Sequence, residues 1–212
     1  MFSSRLKYFL AVVPFLAMTS VPMHASTILS ENFDELTPAL GVTSAGAFTA
    51  IDGTNIDIVG GTAAQFGYLC TGPESGNCVD LGGTNGNDPV GNIDLTTSLT
   101  LAAGVYDLSF DLIGSQRGET TSTTVDFGTY SQTFVLTSGD ITSGVVINKA
   151  VTVTGGSTQL EFIDNGTPDN IGALLDNVSI STVSAVPEPS SLMLLGTGIL
   201  GAAGLMRRRL TA

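Results

Sequence analysis

The stretch from Gly104 to Ile113 limits what this chain can fold into more than any other. Tyr106, Leu108, Phe110 and Leu112 alternate with Asp107, Ser109 and Asp111. In an extended chain successive side chains point to opposite faces, so this pattern predicts a strand with one face in a core and the other in water. Further alternating segments follow at Thr123–Phe127, Tyr130–Leu136, Val145–Val153, Thr158–Phe162 and Leu174–Ile180, separated by Gly, Ser, Asn and Asp. Upstream, Thr27–Phe33 reads as an opening strand, Asn55–Val59 as a half-buried strand stopped by Gly60-Gly61, and Cys78–Leu81 as another. Short strands at nearly regular spacing, with no helical period between them, predict an all-β fold, an antiparallel β-sandwich.

Both ends of the chain differ from this middle. Residues 1–25 have a basic start at Arg5 and Lys7, an apolar run from Tyr8 to Ala17 and a polar close at Met23-His24-Ala25, the organisation of a secretory signal peptide. Cleavage after Ala25 removes His24, the only histidine. Residues 184–212 hold Val186-Pro187-Glu188-Pro189, an apolar segment from Ser190 to Met206, and Arg207-Arg208-Arg209. A C-terminal apolar helix closed by a basic cluster predicts a membrane anchor whose charges stay cytoplasmic. Seventeen residues at about 1.5 Å each reach about 25 Å, enough for a thin bilayer. The expected order is therefore signal helix, sandwich over residues 26–183, and transmembrane helix.

Between these segments only Arg117 and Lys149 are basic, against eighteen acidic residues, a formal charge of −16 over residues 26–186. Such a surface repels phosphate backbones, which argues against a nucleic-acid partner and leaves cations as the natural small ones. Cys70 and Cys78, the only cysteines, flank a Gly/Pro turn in an exported chain and predict a disulfide. With no histidine and both thiols spent, Ser-His-Asp and Cys-His nucleophilic systems and histidine-ligated zinc cannot be assembled. The oxygen-rich turns at Gly82–Pro89 and Asp164–Asn170 lack the spaced acids of an EF-hand and read as solvated turns. A carboxylate pair could still hydrolyse a glycoside, but no pair stands out, and a non-catalytic domain is expected. For a sugar ligand, the candidate contacts are the rings of Tyr68 and Tyr130, expected near turns, and the guanidinium of Arg117 in a Gly-bounded loop.

Val186-Pro187-Glu188-Pro189, the apolar run and the triple arginine together resemble the PEP-CTERM sorting signal of Gram-negative bacteria. The resemblance implies export through the Sec translocon, removal of the leader by signal peptidase, transit in the inner membrane, and recognition by an exosortase that cuts near the Pro-Glu-Pro motif. The domain would then reach the cell surface or the exopolysaccharide matrix.

A second resemblance runs through the middle. Gly104–Leu112, Gly114-Ser115-Gln116-Arg117-Gly118 and the closing Gly172–Ile180, with its Leu175-Asp176-Asn177-Val178, are similar to the jelly-roll, galactose-binding-like modules of secreted bacterial proteins. It implies a jelly-roll-like sandwich and two alternative roles, a structural surface protein or a carbohydrate-binding module docking on exopolysaccharide. It also implies that a structural calcium would join Asp34, just after the first strand, to Asp176 in the last. No other cofactor is expected.

Overall fold

The computed structural model describes residues 25–51, 53–60, 69–73, 76–84, 93–183, 196–201 and 207. Its strands are β1 (Thr27–Glu31), β2 (Ala39–Val42), β3 (Ser44–Ala45), β4 (Phe48–Thr49), β5 (Ile56–Gly60), β6 (Asn77–Asp80) and β7 (Ile93–Leu101). They continue with β8 (Gly104–Ile113), β9 (Thr121–Phe127), β10 (Tyr130–Leu136), β11 (Val146–Val153), β12 (Gly156–Asp164) and β13 (Leu174–Thr182). The expected antiparallel sandwich is what forms. One sheet has the order β11-β8-β13-β6-β5-β2, with β1 also paired to β13, and the other the order β10-β9-β12-β7-β4-β3. From β7 onward the chain changes sheet at nearly every connection, as in a jelly roll.

Alternation within each strand builds the core. On β8 the side chains of Tyr106, Leu108, Phe110 and Leu112 are buried while Asp107, Ser109 and Asp111 are only partly covered. On β9, Thr121, Thr123, Val125 and Phe127 face inward, and on β12 Leu160 and Phe162 do. Between the sheets the rings of Phe33, Phe48, Phe162, Phe110 and Phe134 form a continuous series, each neighbouring pair with centroids 5.8 to 6.1 Å apart. Three of these four contacts are edge-on, the arrangement favoured by the ring quadrupole.

The expectation of a half-buried strand at Asn55–Val59 is corrected: β5 is buried on both faces, as is β6. Ile56 and Ile58 enter the main core, whereas Val59 packs with Leu69, Cys78, Ile113 and Leu174 in a second cluster. The predicted Cys70–Cys78 disulfide forms and belongs to that cluster, with Cys78 inside it and Cys70 packed against it. Asp57, which alternation would place in water, is 3 % exposed and accepts hydrogen bonds from the amides of Gly41 and Thr84 and from the Thr84 hydroxyl.

Sequence reading passes over β7 although Leu95, Thr97, Leu99 and Leu101 share one face, because a threonine stands at one of the inward positions. Strands β2, β3 and β4 have four, two and two residues, too few for a period to register. The signal segment lies outside the described residues. In the tail, a helical stretch is described over 196–201, and among the described residues no helix is long and apolar enough to cross a membrane.

Phe162 is fully buried and joins the ring series of both sheets. Replacing it with alanine should cost about 3–5 kcal/mol through lost burial and the cavity left behind. Chemical denaturation of Phe162→Ala measures this; a loss under about 1 kcal/mol would show that the series does not hold the sheets together.

Candidate functional site

Three polar assemblies are built into this frame. The first arises where β13 changes partner. One edge of β13 pairs with β6 at Leu174 and Leu175 and with β1 from Val178 to Ser181. Between these partners β13 carries an extra residue relative to β8, and Asn177 adopts φ 50°. Such a bulge re-aims side chains locally. Here it buries the Asp176 carboxyl, 1 % exposed, near Asp34, Asp111 and Glu31. The Asn177 side-chain amide donates to Asp111 and to the carbonyl of Pro73 in the disulfide loop. Asp34 accepts from the amide of Asn77 and from the side chain of Asn32, and a Cβ on Gly76 would collide with its carboxylate. Glu31 accepts from the amides of Phe33 and Ala47.

The structure therefore brings Asp34 and Asp176 into one neighbourhood. Among the described residues, however, no three acidic, histidine or cysteine side chains are arranged to hold a metal ion. Burial pushes the Asp176 carboxyl up to about 7, its amide contact with Asn177 pulls it down, and the charges of Asp34, Asp111 and Glu31 push it further up.

The second assembly explains Arg117. Its Nη2 contacts the Asp80 carboxylate and the carbonyl of Asn170. The other Asp80 oxygen accepts from the amides of Gly82 and Gly172 at 3.0 and 2.9 Å. Arg117 and Asp80 thus tie three loops together at the ends of β6, β8 and β12, and the guanidinium offered by the sequence as a ligand contact is engaged inside the fold. Burial pushes the Asp80 carboxyl up to about 7, while Arg117 and the two amides pull against it.

The third is an open groove of about 470 Å³ between the β9–β10 turn, the end of β11 and the start of β12. This falls within the usual range for small-molecule sites. Hydroxyls of Thr129, Ser131, Thr152, Ser157 and Thr158 line it together with Gln159, Asp126 and Glu161. Tyr130 also lines it, but not as the solvent-exposed ring expected from sequence. It is 8 % exposed because it shares the inward face of β10 with Phe134 and Leu136, and its hydroxyl donates to Gln132 at 3.0 Å. Asp126 and Glu161 face each other in register across β9 and β12. Glu161 is raised by burial and then by the charge of Asp126. Sequence alternation does place both residues on wet strand faces; it does not say that those strands are neighbours.

Tyr68, Val186, Pro187, Glu188, Pro189, Arg208 and Arg209 lie outside the described residues, and Arg207 falls in helical, exposed backbone.

The fold and these assemblies define an all-β, two-sheet antiparallel sandwich with a polar groove. In its tail, residues 185–209 match the PEP-CTERM protein-sorting motif. No curated protein matches the chain. Among solved structures, it is similar to the CBM22-1 xylan-binding domain of Paenibacillus barcinonensis Xyn10C at 18 % identity, covering 78 % of this chain and 100 % of that one with a TM-score of 0.46. It is also similar to a cleaved adhesin domain of Lys-gingipain from Porphyromonas gingivalis, at 17 % identity over 74 % of this chain and 100 % of that one, with a TM-score of 0.45.

The raised carboxyls make stability pH-dependent. Asp80 and Asp176 hold their protons more tightly folded than unfolded, so their contribution is fully present below the ordinary value of 3.8 and is lost as pH rises through about 7. Asp176→Asn should flatten the fall in melting temperature between about pH 4 and pH 7; an unchanged slope would remove Asp176 as its source.

Proposed function

We propose that this chain is a non-catalytic exported protein of the cell surface or exopolysaccharide matrix, sorted through its C-terminal signal. The carrying observation is the match of residues 185–209 to the PEP-CTERM protein-sorting motif. In this reading residues 1–25 take the chain to the Sec translocon and are removed by signal peptidase. Residues 190–206 hold it in the inner membrane with Arg207, Arg208 and Arg209 on the cytoplasmic side. An exosortase then cuts near Val186-Pro187-Glu188-Pro189, where two prolines keep the backbone extended for a protease to read. Replacing Pro187, Glu188 and Pro189 with alanine should leave the protein in the membrane fraction with an intact C-terminus. Normal release with an unchanged mature end would sink the sorting role.

The groove favours a second, compatible reading in which the domain binds carbohydrate. Its lining of hydroxyls, an amide and two carboxylates suits a hydroxyl-rich ligand. Asp126 and Glu161 lie side by side on neighbouring strands of one sheet, whereas glycoside hydrolysis needs carboxylates flanking the scissile bond, so their proposed role is binding.

A structural calcium at Asp34 and Asp176 is proposed on the crowding of like charges around Asp176. Millimolar calcium at about pH 8 should raise the melting temperature of the wild type and leave that of Asp176→Asn unchanged. Equal melting with calcium and with chelator would dismiss the ion.

A further inference from the structure

The groove forms where one strand outruns its neighbour. β12 pairs with β7 from Gly156 to Ile163 but with β9 only from Leu160 to Asp164. Ser157, Thr158 and Gln159 therefore run past the β9–β10 turn, and all three line the groove. A strand that continues beyond its partner presents main-chain donors and acceptors along the freed edge. Beside this edge one register row crosses the sheet as Ser131, Asp126, Glu161 and Thr96. On either side of Glu161, the Asp126 Oδ1 and Thr96 Oγ1 atoms are buried and make no hydrogen bond within the protein. Of the two, Asp126 lines the groove, and its unpaired oxygen carries a desolvation cost that a ligand hydroxyl donating to it would relieve. No lysine or arginine lines the groove, and Lys149 stands over the Tyr130 ring, 5.9 Å from its centroid, without joining the lining.

We propose that this groove binds a segment of a neutral polysaccharide through its hydroxyl groups and excludes polyanionic glycans, with Asp126 and Glu161 as the acceptors that set the selectivity. The proposal rests on the carbohydrate reading above and narrows it to a site and a charge class. An ionised carboxylate only accepts hydrogen bonds, so it pairs with the hydroxyl donors of a neutral sugar. A uronate or sulfate brought to the same row would meet two like charges in a domain of formal charge −16, with no cation in the lining to offset them. The cross-strand pair thus acts in both directions, attracting hydroxyl donors and repelling acidic sugars.

The test uses the full-length protein in detergent and three soluble polysaccharides, a neutral β-glucan, a neutral galactan and alginate, a polyuronate, with binding read by affinity electrophoresis. The wild type should be retarded by a neutral polymer and not by alginate. The double variant Asp126→Asn, Glu161→Gln keeps the side-chain shapes, and its melting temperature shows whether it is folded. It should bind the neutral polymer about tenfold more weakly, the size of one charge-assisted hydrogen bond, and should begin to bind alginate. Wild-type binding to alginate as strong as to the neutral polymers, or neutral binding untouched by the folded double variant, would overturn the groove assignment while leaving the carbohydrate reading in place. No retardation by any of the three would overturn both. Loss of neutral-polymer length during the assay would show cleavage and overturn the binding-only role of the pair.

Discussion

The contact on which this domain depends is the packing of phenylalanine rings from both sheets into one continuous interior. Phe110 is the contribution of the first sheet; Phe48, Phe134 and Phe162 come from the second, and Phe33 enters from the turn after β1. Large rings meeting edge to face bury much apolar area and fix sheet separation at about 10 Å, the ordinary spacing of a sandwich. Once the sheets are held so, strands covered on one face only, such as β8, β9 and β12, must alternate. The polar positions of β9 and β12 are then forced outward, onto the face where the acidic row of the groove is found.

The high acidity of the chain is usually a matter of solubility, yet several carboxylates are structural. Asp57, Asp80 and Asp176 are each under 4 % exposed, and each is met by backbone amides from another segment or from the next residue. Buried carboxylates of this kind are retained because the chain folds its amides onto them, compensating the loss of water. Gly82 and Gly172 approach each other so closely beside Asp80 that a side chain on either would strike the other's backbone. Ordering these loops places the fold's strongest polar contacts at strand ends and partner changes, where the main chain would otherwise lack hydrogen-bond partners.

Much of this was legible from residues alone. The inward faces of β8, β9, β10 and β12 follow from period two, and the disulfide from an isolated cysteine pair in a chain read as exported, whereas on β13 the bulge at Asn177 switches the inward parity between Leu175 and Val178. The burial of β5 and β6 on both faces was not legible, since it depends on tertiary neighbours: Gly41 and Thr84 at Asp57, and Leu69, Ile113 and Leu174 beside Val59 and Cys78. Arg117 looked available to a ligand because it sits between glycines, and only the tertiary fold carries Asp80, 37 residues away, to its guanidinium. Tyr130 looked exposed beside a turn, although its parity with Phe134 and Leu136 already placed it on the inward face.

By itself, the sequence determined the fold class, since alternating apolar positions admit only paired strands around a core, and it carries the match to a sorting motif, since the Pro-Glu-Pro motif, apolar run and arginines are contiguous along the chain. Tertiary structure alone decided which polar groups meet. Asp126 and Glu161 are 35 residues apart by number and become neighbours only because β12 pairs with β9 in one register. Register is set by the sum of packing across the whole sandwich, and a shift of one residue would have turned the acidic row into the core.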